Sequence, residues 1–248
     1  MAATENDDKY RAPALDKGLD ILELLALQPS GITRTEIVKS LGRSSSEIYR
    51  MLERLVIRGY VNRNIEGDRF SLSTKLFQLG ATFPPVRRIV DRAQPLMDAF
   101  ARQCLQSIHL AVPDRGKIVV VAQATSQDAW EFRLRLGAEL DLLATGSGQT
   151  FLAFSSPEER QALLALDHAG TCDGIAEEIA EILKVGHRIR PSRQLVGVTD
   201  ISVPVFTSGS SPVGVLTCPY LPRVGRKDQQ FEECLAIVQR TAQKILFA

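Results

Sequence analysis

Apolar side chains between residues 33 and 55 recur every three or four positions, which is the spacing of an α-helix with one buried face. Two capping-box patterns divide this stretch, Thr33-Arg34-Thr35-Glu36 and Ser44-Ser45-Ser46-Glu47, each with a hydroxyl followed three residues later by a glutamate. A helix is therefore expected to begin after each hydroxyl. The first helix should end at Leu41, because Gly42 can adopt the left-handed conformation that stops a helix. The stretch predicts a helix-turn-helix.

The second of these helices has two faces of opposite character. Its apolar positions recur at i, i+3, i+4 and i+7, namely Ile48, Met51, Leu52 and Leu55. The opposite side carries Ser45, Ser46, Tyr49, Arg50, Glu53 and Arg54. Serine, tyrosine and arginine side chains suit the major groove of DNA, where arginine can make a bidentate contact to guanine. We therefore expect one face to pack and the other to contact DNA.

Two short strands are expected after this helix, over residues 60–63 and 69–72, joined by the loop 64–68. This hairpin would form the wing of a winged helix-turn-helix. A leading helix should precede the motif, with Leu15, Leu19, Leu22 and Leu25 packed under it. A further helix is expected over residues 73–80.

Charge favours DNA as the partner of this region. Between Ser30 and Lys75 the chain has nine Lys or Arg residues against five Asp or Glu residues, whereas from Ala81 onward each class has 18. A basic segment in a balanced chain is typical of a DNA-binding domain. The alternative is a winged module that binds protein. The candidate DNA contacts are Arg34, Thr35, Arg43, Ser44, Ser45, Ser46, Tyr49, Arg50, Arg54, Arg63 and Arg69.

The predicted domains are residues 1–80, with residues 1–11 as a mobile arm, and residues 88–248, separated by a linker at 81–87. Phe83-Pro84-Pro85 marks that boundary, because two prolines interrupt the helical pattern. In the second domain, the pattern predicts strands at 108–112, 118–124, 132–136, 198–206 and 213–218. Helices are expected at 86–103 with a kink or restart at Pro95, from Pro157, at 174–185 and at 227–247. This order predicts an α+β domain with an antiparallel sheet.

Composition excludes several classes of protein. No apolar run reaches the roughly 18 residues that span a bilayer, and no signal peptide is present, so we expect a cytoplasmic protein. The four cysteines, Cys104, Cys172, Cys218 and Cys234, form no CxxC pair. Reduced, mostly buried thiols are expected rather than a disulfide framework or a metal site. No cofactor is indicated.

Gly146-Ser147-Gly148 at a predicted helix start is the clearest candidate for ligand chemistry. Backbone N–H groups there, with the positive end of the helix dipole, can bind a carboxylate. The alternative interpretation is a plain glycine turn. Asp200 and Thr217 lie on apolar strands, where a carboxylate needs partners.

The order of these signals resembles that of the IclR family of bacterial transcription regulators. The matching stretches run from about Leu15 to the C-terminus: LDKGLDILELLA, GITRTEIVKSLGRSSSEIYRMLERLVIRGYV, DRFSLSTKLFQLG, LLATGSGQTFLAF, PEER, GVTDISVPVF and PVGVLTCPYL. The resemblance implies an N-terminal winged helix-turn-helix domain and a C-terminal GAF-like α+β effector-binding domain, assembled as a homodimer or a dimer of dimers.

By this resemblance, the Gly146 and Ser147 amides hold the effector, and Asp200 and Thr217 line its cup. Trp130 and Leu136 are candidate apolar walls, although Trp130 is equally well explained as core filler. Arg190 and Arg193 are expected to be solvated loop residues. The partners predicted are double-stranded operator DNA and a small carboxylic acid, without a membrane.

An enzyme is the competing class. His109, His168 and His187 lie far apart in the sequence without a metalloprotease spacing, and Ser147 lies in GSG rather than in a GxSxG elbow. No catalytic residues are therefore predicted. A small-molecule hydrolase that uses Ser147 or Cys218, with the winged helix as a protein-interaction module, is the alternative hypothesis.

Overall fold

The computed structural model describes residues 12–64, 68–126, 132–166, 174–207, 209, 211–222 and 229–247. The chain divides into two compact units, with the boundary between Phe83 and Pro84. The expected mobile arm at 1–11 and Trp130 lie outside the described residues. The segment 81–87, expected as a linker, holds the end of one helix, Phe83 and the start of the next helix.

The first unit contains four helices and a small sheet in its described part: α1 (Pro13–Ala26), β1 (Ile32–Thr33), α2 (Arg34–Leu41), α3 (Ser45–Ile57), β2 (Val61–Asn64), β3 (Arg69–Leu72) and α4 (Lys75–Thr82). The strand order is β1-β3-β2 and all pairs are antiparallel. The core of the unit consists of Ile21, Leu25, Ile37, Ile48, Leu52, Val61 and Phe70. The structure confirms the predicted helix-turn-helix and the strands of its wing.

Both predicted capping boxes form. The side chain of Thr33 accepts from the Glu36 backbone N–H, and that glutamate accepts from the Thr33 backbone N–H in return. Ser44 and Glu47 make the same exchange at the start of α3. Gly42 ends α2 with φ 60° and ψ 30°, the left-handed conformation that the sequence predicted.

The predicted apolar face of α1 is partly wrong. Ile21 and Leu25 are buried, whereas 61% of the Leu15 side chain and 47% of the Leu19 side chain are exposed. At about 100° per residue, Leu15 and Leu19 project about 120° and 160° away from Ile21. These two leucines therefore lie off the stripe that packs in the core.

The second unit contains a six-stranded sheet and helices on both faces: α5 (Pro84–Cys104), β4 (Ile108–Asp114), β5 (Lys117–Ala124), β6 (Glu139–Asp141), α6 (Gly146–Phe154), α7 (Pro157–Leu166), α8 (Ile175–Val185), β7 (Arg188–Pro191), β8 (Thr199–Phe206), β9 (Pro212–Tyr220) and α9 (Gln229–Phe247). The strand order is β6-β5-β4-β9-β8-β7 with antiparallel neighbours throughout. This confirms the predicted α+β class with an antiparallel sheet.

Side chains alternate between the two faces of this sheet. On β8, Ile201, Val203 and Val205 pack in the core formed with α5 and α9. Asp200 and Ser202 alternate with them and lie next to the first residue of α6. Period-2 alternation therefore places the polar residues of β8 at the start of α6.

The strand predicted at 132–136 is wrong, because the described residues 132–138 form no strand. The edge of β5 is occupied by the following residues instead. The Gly137 N–H donates to the Val120 carbonyl, the Val120 N–H donates to the Ala138 carbonyl, and β6 continues the pairing. The part of the β5 edge from Lys117 to Val120 is therefore occupied by residues 137–141 and not by residues 132–136. The strand β7 was not predicted.

Helix α5 runs through Pro95 without the predicted restart. Farther along, Gln106 joins the start of β4 to the end of β9. Its Nε2 donates to the Leu221 carbonyl at 3.0 Å, and its Oε1 accepts from the Leu221 N–H at 3.1 Å, across a sequence separation of 115 residues. Within the described ranges, no helix is long and apolar enough to cross a membrane.

Candidate functional site

The polar face of α3 is available for binding. Ile48 and Leu52 are buried in the core of the first unit. The side chains that the sequence assigned to the opposite face include five exposed residues: Ser45, Ser46, Tyr49, Arg50 and Arg54. Neither Arg50 nor Arg54 makes an ion pair with another described residue. This face therefore offers two unneutralised arginines and two hydroxyls at the start of a helix.

Helix α2 contributes to the same surface. The guanidinium of Arg34 lies over the Tyr49 ring, with 5.5 Å between its central carbon and the ring centroid. This distance is within the range of a cation–π contact. Thr35, the next residue, is exposed.

The remaining candidate contacts have structural partners. Ser44 caps α3, Arg43 lies 3.5 Å from Asp20, and Arg69 Nη1 donates to the Gly31 carbonyl at 2.9 Å. In the wing, Arg63 donates from Nε and Nη2 to Asp68 Oδ1 at 3.0 and 2.8 Å, and its Nη1 approaches Glu53 at 3.5 Å. The charge of Arg63 is thus largely compensated within the protein.

A salt bridge fixes α3 against the leading helix. Lys17 of α1 donates to Glu47, the same glutamate that belongs to the α3 capping box. The hydrogen bond from Lys17, followed by those from Ser44, lowers the pKa of Glu47 to about 2. The start of α3 is therefore held by both its own cap and α1.

The second unit contains a cleft with about 440 Å3 of empty space, part of it open to solvent. Its apolar lining residues are Phe132, Leu134, Leu140, Leu195 and Pro219. Its polar lining residues include His109, Ser147, Ser192, Asp200 and Thr217. The lining of the cleft thus combines apolar surface with hydrogen-bonding groups.

The N-terminus of α6 forms one wall of the cleft. Thr145 caps it by accepting from the Gly148 N–H at 3.1 Å, and Gly146 and Ser147 line the cleft. A Cβ on Gly148 would lie 2.4 Å from the Leu142 carbonyl oxygen and 2.6 Å from the Asp141 carbonyl oxygen. Only glycine therefore allows α6 to start this close to the preceding loop.

Four buried side chains form a hydrogen-bonded row behind this wall. His109 Nε2 lies 3.3 Å from Ser147 Oγ, which lies 2.8 Å from Thr217 Oγ1, and Thr217 Oγ1 lies 2.9 Å from Ser202 Oγ. Burial lowers the pKa of His109 to about 4. The ring is therefore neutral near pH 7, and the row carries no net charge.

Asp200 is the acidic side chain of the cleft. Burial raises its pKa, while the positive charge of Arg188 and a hydrogen bond from Ser192 act in the opposite direction. Because burial is the largest effect, the carboxyl group is more readily protonated than an exposed aspartate. It can accept a hydrogen bond when ionised and donate one when protonated.

The structure brings some of the predicted effector-binding residues together and not others. Gly146, Ser147, Asp200 and Thr217 line one cleft, and Trp130 lies outside the described residues. Leu136 is a correction, because 62% of its side chain is exposed and it does not line the cleft. The chain turns at Gly137 to join β5, so Leu136 stays at the turn while Phe132 and Leu134 supply the apolar wall.

Sequence reasoning missed several polar residues of the cleft. His109 and Ser192, which line the cleft, were not predicted, and neither was Ser202, which hydrogen-bonds to Thr217. His109 interrupts an apolar strand, and such an interruption indicates that a polar group has a partner. Arg193 was expected to be a solvated loop residue. It lines the cleft and donates to Glu178 at 3.2 Å.

A hydrolytic role for Ser147 gains no support from this geometry. His109 is close enough to act as its base, but burial holds the pKa of that ring near 4. Among the described residues, no carboxylate hydrogen-bonds to His109 to orient it. Ser147 is instead shared with Thr217. Within the described part of the chain, the arrangement therefore lacks the orienting acid of a catalytic triad, and its histidine is a weak base.

The described cysteines, Cys104, Cys218 and Cys234, are free thiols, and all three are buried, as the sequence predicted for most of them. The fourth, Cys172, lies outside the described residues. In the part of the chain that the structure describes, no group of three or more His, Cys, Asp or Glu residues is arranged to hold a metal ion.

Comparison with known proteins gives consistent matches over both units. Residues 14–64 match the family model for the IclR helix-turn-helix domain, and residues 85–246 match the model for the bacterial transcriptional regulator IclR C-terminal domain. The chain is 25% identical over 218 residues to the HTH-type transcriptional regulator BhcR of Paracoccus denitrificans, covering 84% of this chain and 78% of that protein.

Solved structures show the same fold. The Thermotoga maritima IclR structure is 23% identical with a TM-score of 0.76, covering 94% of this chain and 97% of that one. An IclR homologue from Microbacterium hydrocarbonoxydans, solved in complex with 4-hydroxybenzoate, is 20% identical with a TM-score of 0.76, covering 94% and 98% of the two chains.

Proposed function

The chain belongs to the IclR family of bacterial transcriptional regulators, and from this premise we propose how its two units divide the work. Residues 1–80 bind operator DNA, and residues 88–248 bind a small organic acid that modulates this binding. The observation that carries the proposal is the presence, in one chain, of an exposed basic face on α3 and a polar cleft at the start of α6. As a regulator that binds bacterial chromosomal DNA, it would work in the cytoplasm.

DNA binding is tested by a mobility-shift assay with genomic fragments, followed by footprinting of the retained fragment. We expect a specific complex whose affinity falls steeply as salt is raised, because lysine and arginine displace counterions from phosphate. Retention of all fragments alike, or of none, would contradict operator recognition.

The effector proposed is a monoacid with a hydroxyl or amino group. The amides of Gly146 and Ser147 suit its carboxylate, since the first N–H groups of a helix have no acceptor within the helix. Asp200 can accept a hydrogen bond from a hydroxyl or amine, whereas a second carboxylate would be repelled by it when it is ionised. The neighbour solved with 4-hydroxybenzoate shows one such acid bound to a protein of this fold.

Calorimetry on a panel of monoacids and diacids tests this assignment. Asp200→Ala should abolish the response of operator binding to the effector while DNA affinity without effector is retained, because losing one partner of a buried charged hydrogen bond costs about 2 to 5 kcal/mol. Asp114→Ala, which removes an exposed acid at the β4–β5 turn, is the matched control. Tight diacid binding, or undiminished acid affinity in Asp200→Ala, would contradict the assignment.

The mechanism proposed is a coupling free energy between the two sites. The effector shifts the relative placement of two DNA-binding units in an assembly, and so their fit to half-sites about one helical turn apart or a multiple of it. The assembly is a homodimer or a dimer of dimers. The exposed Leu15 and Leu19 of α1 are the candidate apolar contacts in the first unit, and α5 is the candidate in the second. Light scattering that found a monomer at micromolar concentration would contradict this mechanism.

A further inference from the structure

Arg188 is the first residue of β7, and one edge of its guanidinium, at Nη1, makes no hydrogen bond within the described part of the chain. We call this edge the unused edge. The Arg188 side chain is 4% exposed, and its Nε and Nη2 atoms each lie 2.9 Å from Glu178 Oε1. The third nitrogen, Nη1, is buried and has no hydrogen-bond partner in the described part of the chain. A guanidinium remains charged at all ordinary pH values, and a buried donor without an acceptor is unfavourable. An acceptor from outside the chain would complete this group.

The unused edge lies directly beside the first residue of α6. Arg188 Nη1 is 3.2 Å from the position that a Cβ on Gly146 would occupy. The Cβ of Asp200 lies 3.2 Å from the same point, and Ser202 Oγ lies 2.8 Å from it. A buried side-chain cation therefore packs against Gly146, which lines the cleft, while Arg188 itself is not one of the lining residues.

Two independent features thus favour an anion at this wall. Helix α6 is nine residues long, and Gly146 and Ser147 of its first turn line the cleft. The N–H groups of a first turn have no acceptor within the helix and lie at the positive end of its dipole. Arg188 adds a full positive charge in a buried position, where it is weakly screened. His109 does not supply such a charge, because burial keeps its pKa near 4.

We propose that Arg188 is the cationic anchor of the cleft and that it binds the carboxylate of the effector together with the amides of Gly146 and Ser147. The inference rests on the proposed effector site and names the residue that selects a charged acid over a neutral molecule. Glu178 acts as a positioning residue, because it occupies one edge of the guanidinium and directs the Nη1 edge away from itself. A carboxylate that approaches this edge forms a charge-assisted hydrogen bond.

Charge in the cluster is compatible with an incoming anion. Glu178 is shared between Arg188 and Arg193, whose Nη2 lies 3.2 Å from Glu178 Oε2. Asp200 is the other acid beside Arg188, and burial raises its pKa. Glu178 thus accepts from two guanidiniums, and the Nη1 edge of Arg188 remains without an acceptor in the described part of the chain.

A titration followed by NMR separates this inference from the proposed function. The probes are acetate, lactate, benzoate and 4-hydroxybenzoate, each compared with its neutral amide. The resonances followed are the backbone amides of Gly146 and Ser147 and the side-chain nitrogens of Arg188. We expect the acids, and not the amides, to shift both sets with one common dissociation constant. Acids that shift only the backbone amides would leave the effector site in place and overturn the role of Arg188. Acids that shift neither set would overturn both.

Variants give a second, independent test. Arg188→Met is made together with Glu178→Gln, so that no buried acid is left unpaired, and Glu178→Gln alone is the reference. Relative to that reference, we expect the affinity for the tightest acid to fall about tenfold or more, as for loss of a hydrogen bond to a charged group. The affinity for its neutral amide should stay unchanged.

Arg190→Met is the matched control, since Arg190 lies two residues along the same strand with 45% of its side chain exposed, and pairs with Glu181. It should leave acid binding unaltered. Arg188→Lys keeps the charge and should retain part of the acid preference. Equal losses for acid and amide in the Arg188 variants, or an unchanged acid affinity, would mark Arg188 as a structural residue only.

Discussion

The guanidinium of Arg34, the first residue of α2, lies over the ring of Tyr49 on α3, with 5.5 Å between its central carbon and the ring centroid. The contact joins two helices at the proposed DNA surface and restricts the orientation of the tyrosine. A ring that is already oriented loses less conformational freedom when its hydroxyl binds.

We expect this pair to contribute to operator affinity as a unit. Arg34→Ala, Tyr49→Ala and the double variant form a mutant cycle, measured by fluorescence anisotropy on the operator. The coupling should be about 0.5 to 1 kcal/mol, as for an exposed cation–π contact. Additive losses would show that the two side chains act independently on DNA.

Arg50 is the proposed base-contacting residue of α3. Because it is exposed and makes no ion pair with another described residue, its guanidinium is available to a guanine. Arg50→Ala should cost about 1 to 3 kcal/mol of specific binding if it contacts a base. Arg115→Ala, at an 86% exposed arginine of the β4–β5 turn, is the control. An equal loss on operator and random DNA would instead assign Arg50 to phosphate.

Gly148 should tolerate no larger residue. A methyl group there would lie 2.4 Å from a backbone oxygen of Leu142, and backbone cannot move aside as a side-chain tip does. Gly148→Ala should therefore lower the free energy of unfolding by about 1 to 3 kcal/mol or more, as for overpacking. Gly18→Ala is the matched control, because a Cβ at Gly18 in α1 meets nothing within 4 Å. It should stabilise its helix by up to about 1 kcal/mol. Thermal unfolding of the two variants is the measurement.

We expect His109 to lower the free energy of unfolding in mild acid. Folding lowers its pKa from 6.5 to about 4, so between these values the unfolded chain binds a proton that the folded chain excludes. Stability is therefore full above pH 6.5 and is lost as pH falls toward 4, by about 2 kcal/mol between pH 7 and pH 5. Asp200, with its raised pKa, acts in the opposite direction. Denaturant unfolding of wild type and His109→Gln at the two pH values isolates the histidine, and an identical pH dependence would refute its role.

Local sequence signals predicted the first unit well, because they depend on near neighbours. The Thr33 and Ser44 caps and the Gly42 stop each act within a few residues of their own position. The second unit was harder, since the fate of a strand depends on which sheet edge remains unoccupied. The alternation at 132–136 is typical of a strand, but residues 137–141 are the ones that pair with β5, at Lys117 to Val120.

In the candidate cleft, too, residues with a local sequence signal could be predicted and residues defined by distant contacts could not. Gly146-Ser147-Gly148 was recognisable from its helix-start chemistry, and Asp200 from a carboxylate on an apolar strand. Arg188 could not be recognised in the same way. Its proposed role depends on its ion pair with Glu178, ten residues earlier, and on its position beside the start of α6. The burial and the orientation of a charged side chain are set by how the sheet packs. The sequence pattern around Arg188 predicts neither its burial nor its orientation.

The paired hydrogen bonds between Gln106 and Leu221 have a consequence for synthesis of the protein on the ribosome. The first unit is complete once Phe83 has been made, whereas β4 must wait for β9, which lies near the end of the chain, before the central part of its sheet can form. Contacts this distant in sequence form slowly, and domains near the N-terminus generally fold first during translation. A nascent chain will therefore carry a folded DNA-binding unit well before it can sense any ligand. Translation arrested between these two points should yield a fragment that resists proteolysis in its first unit alone.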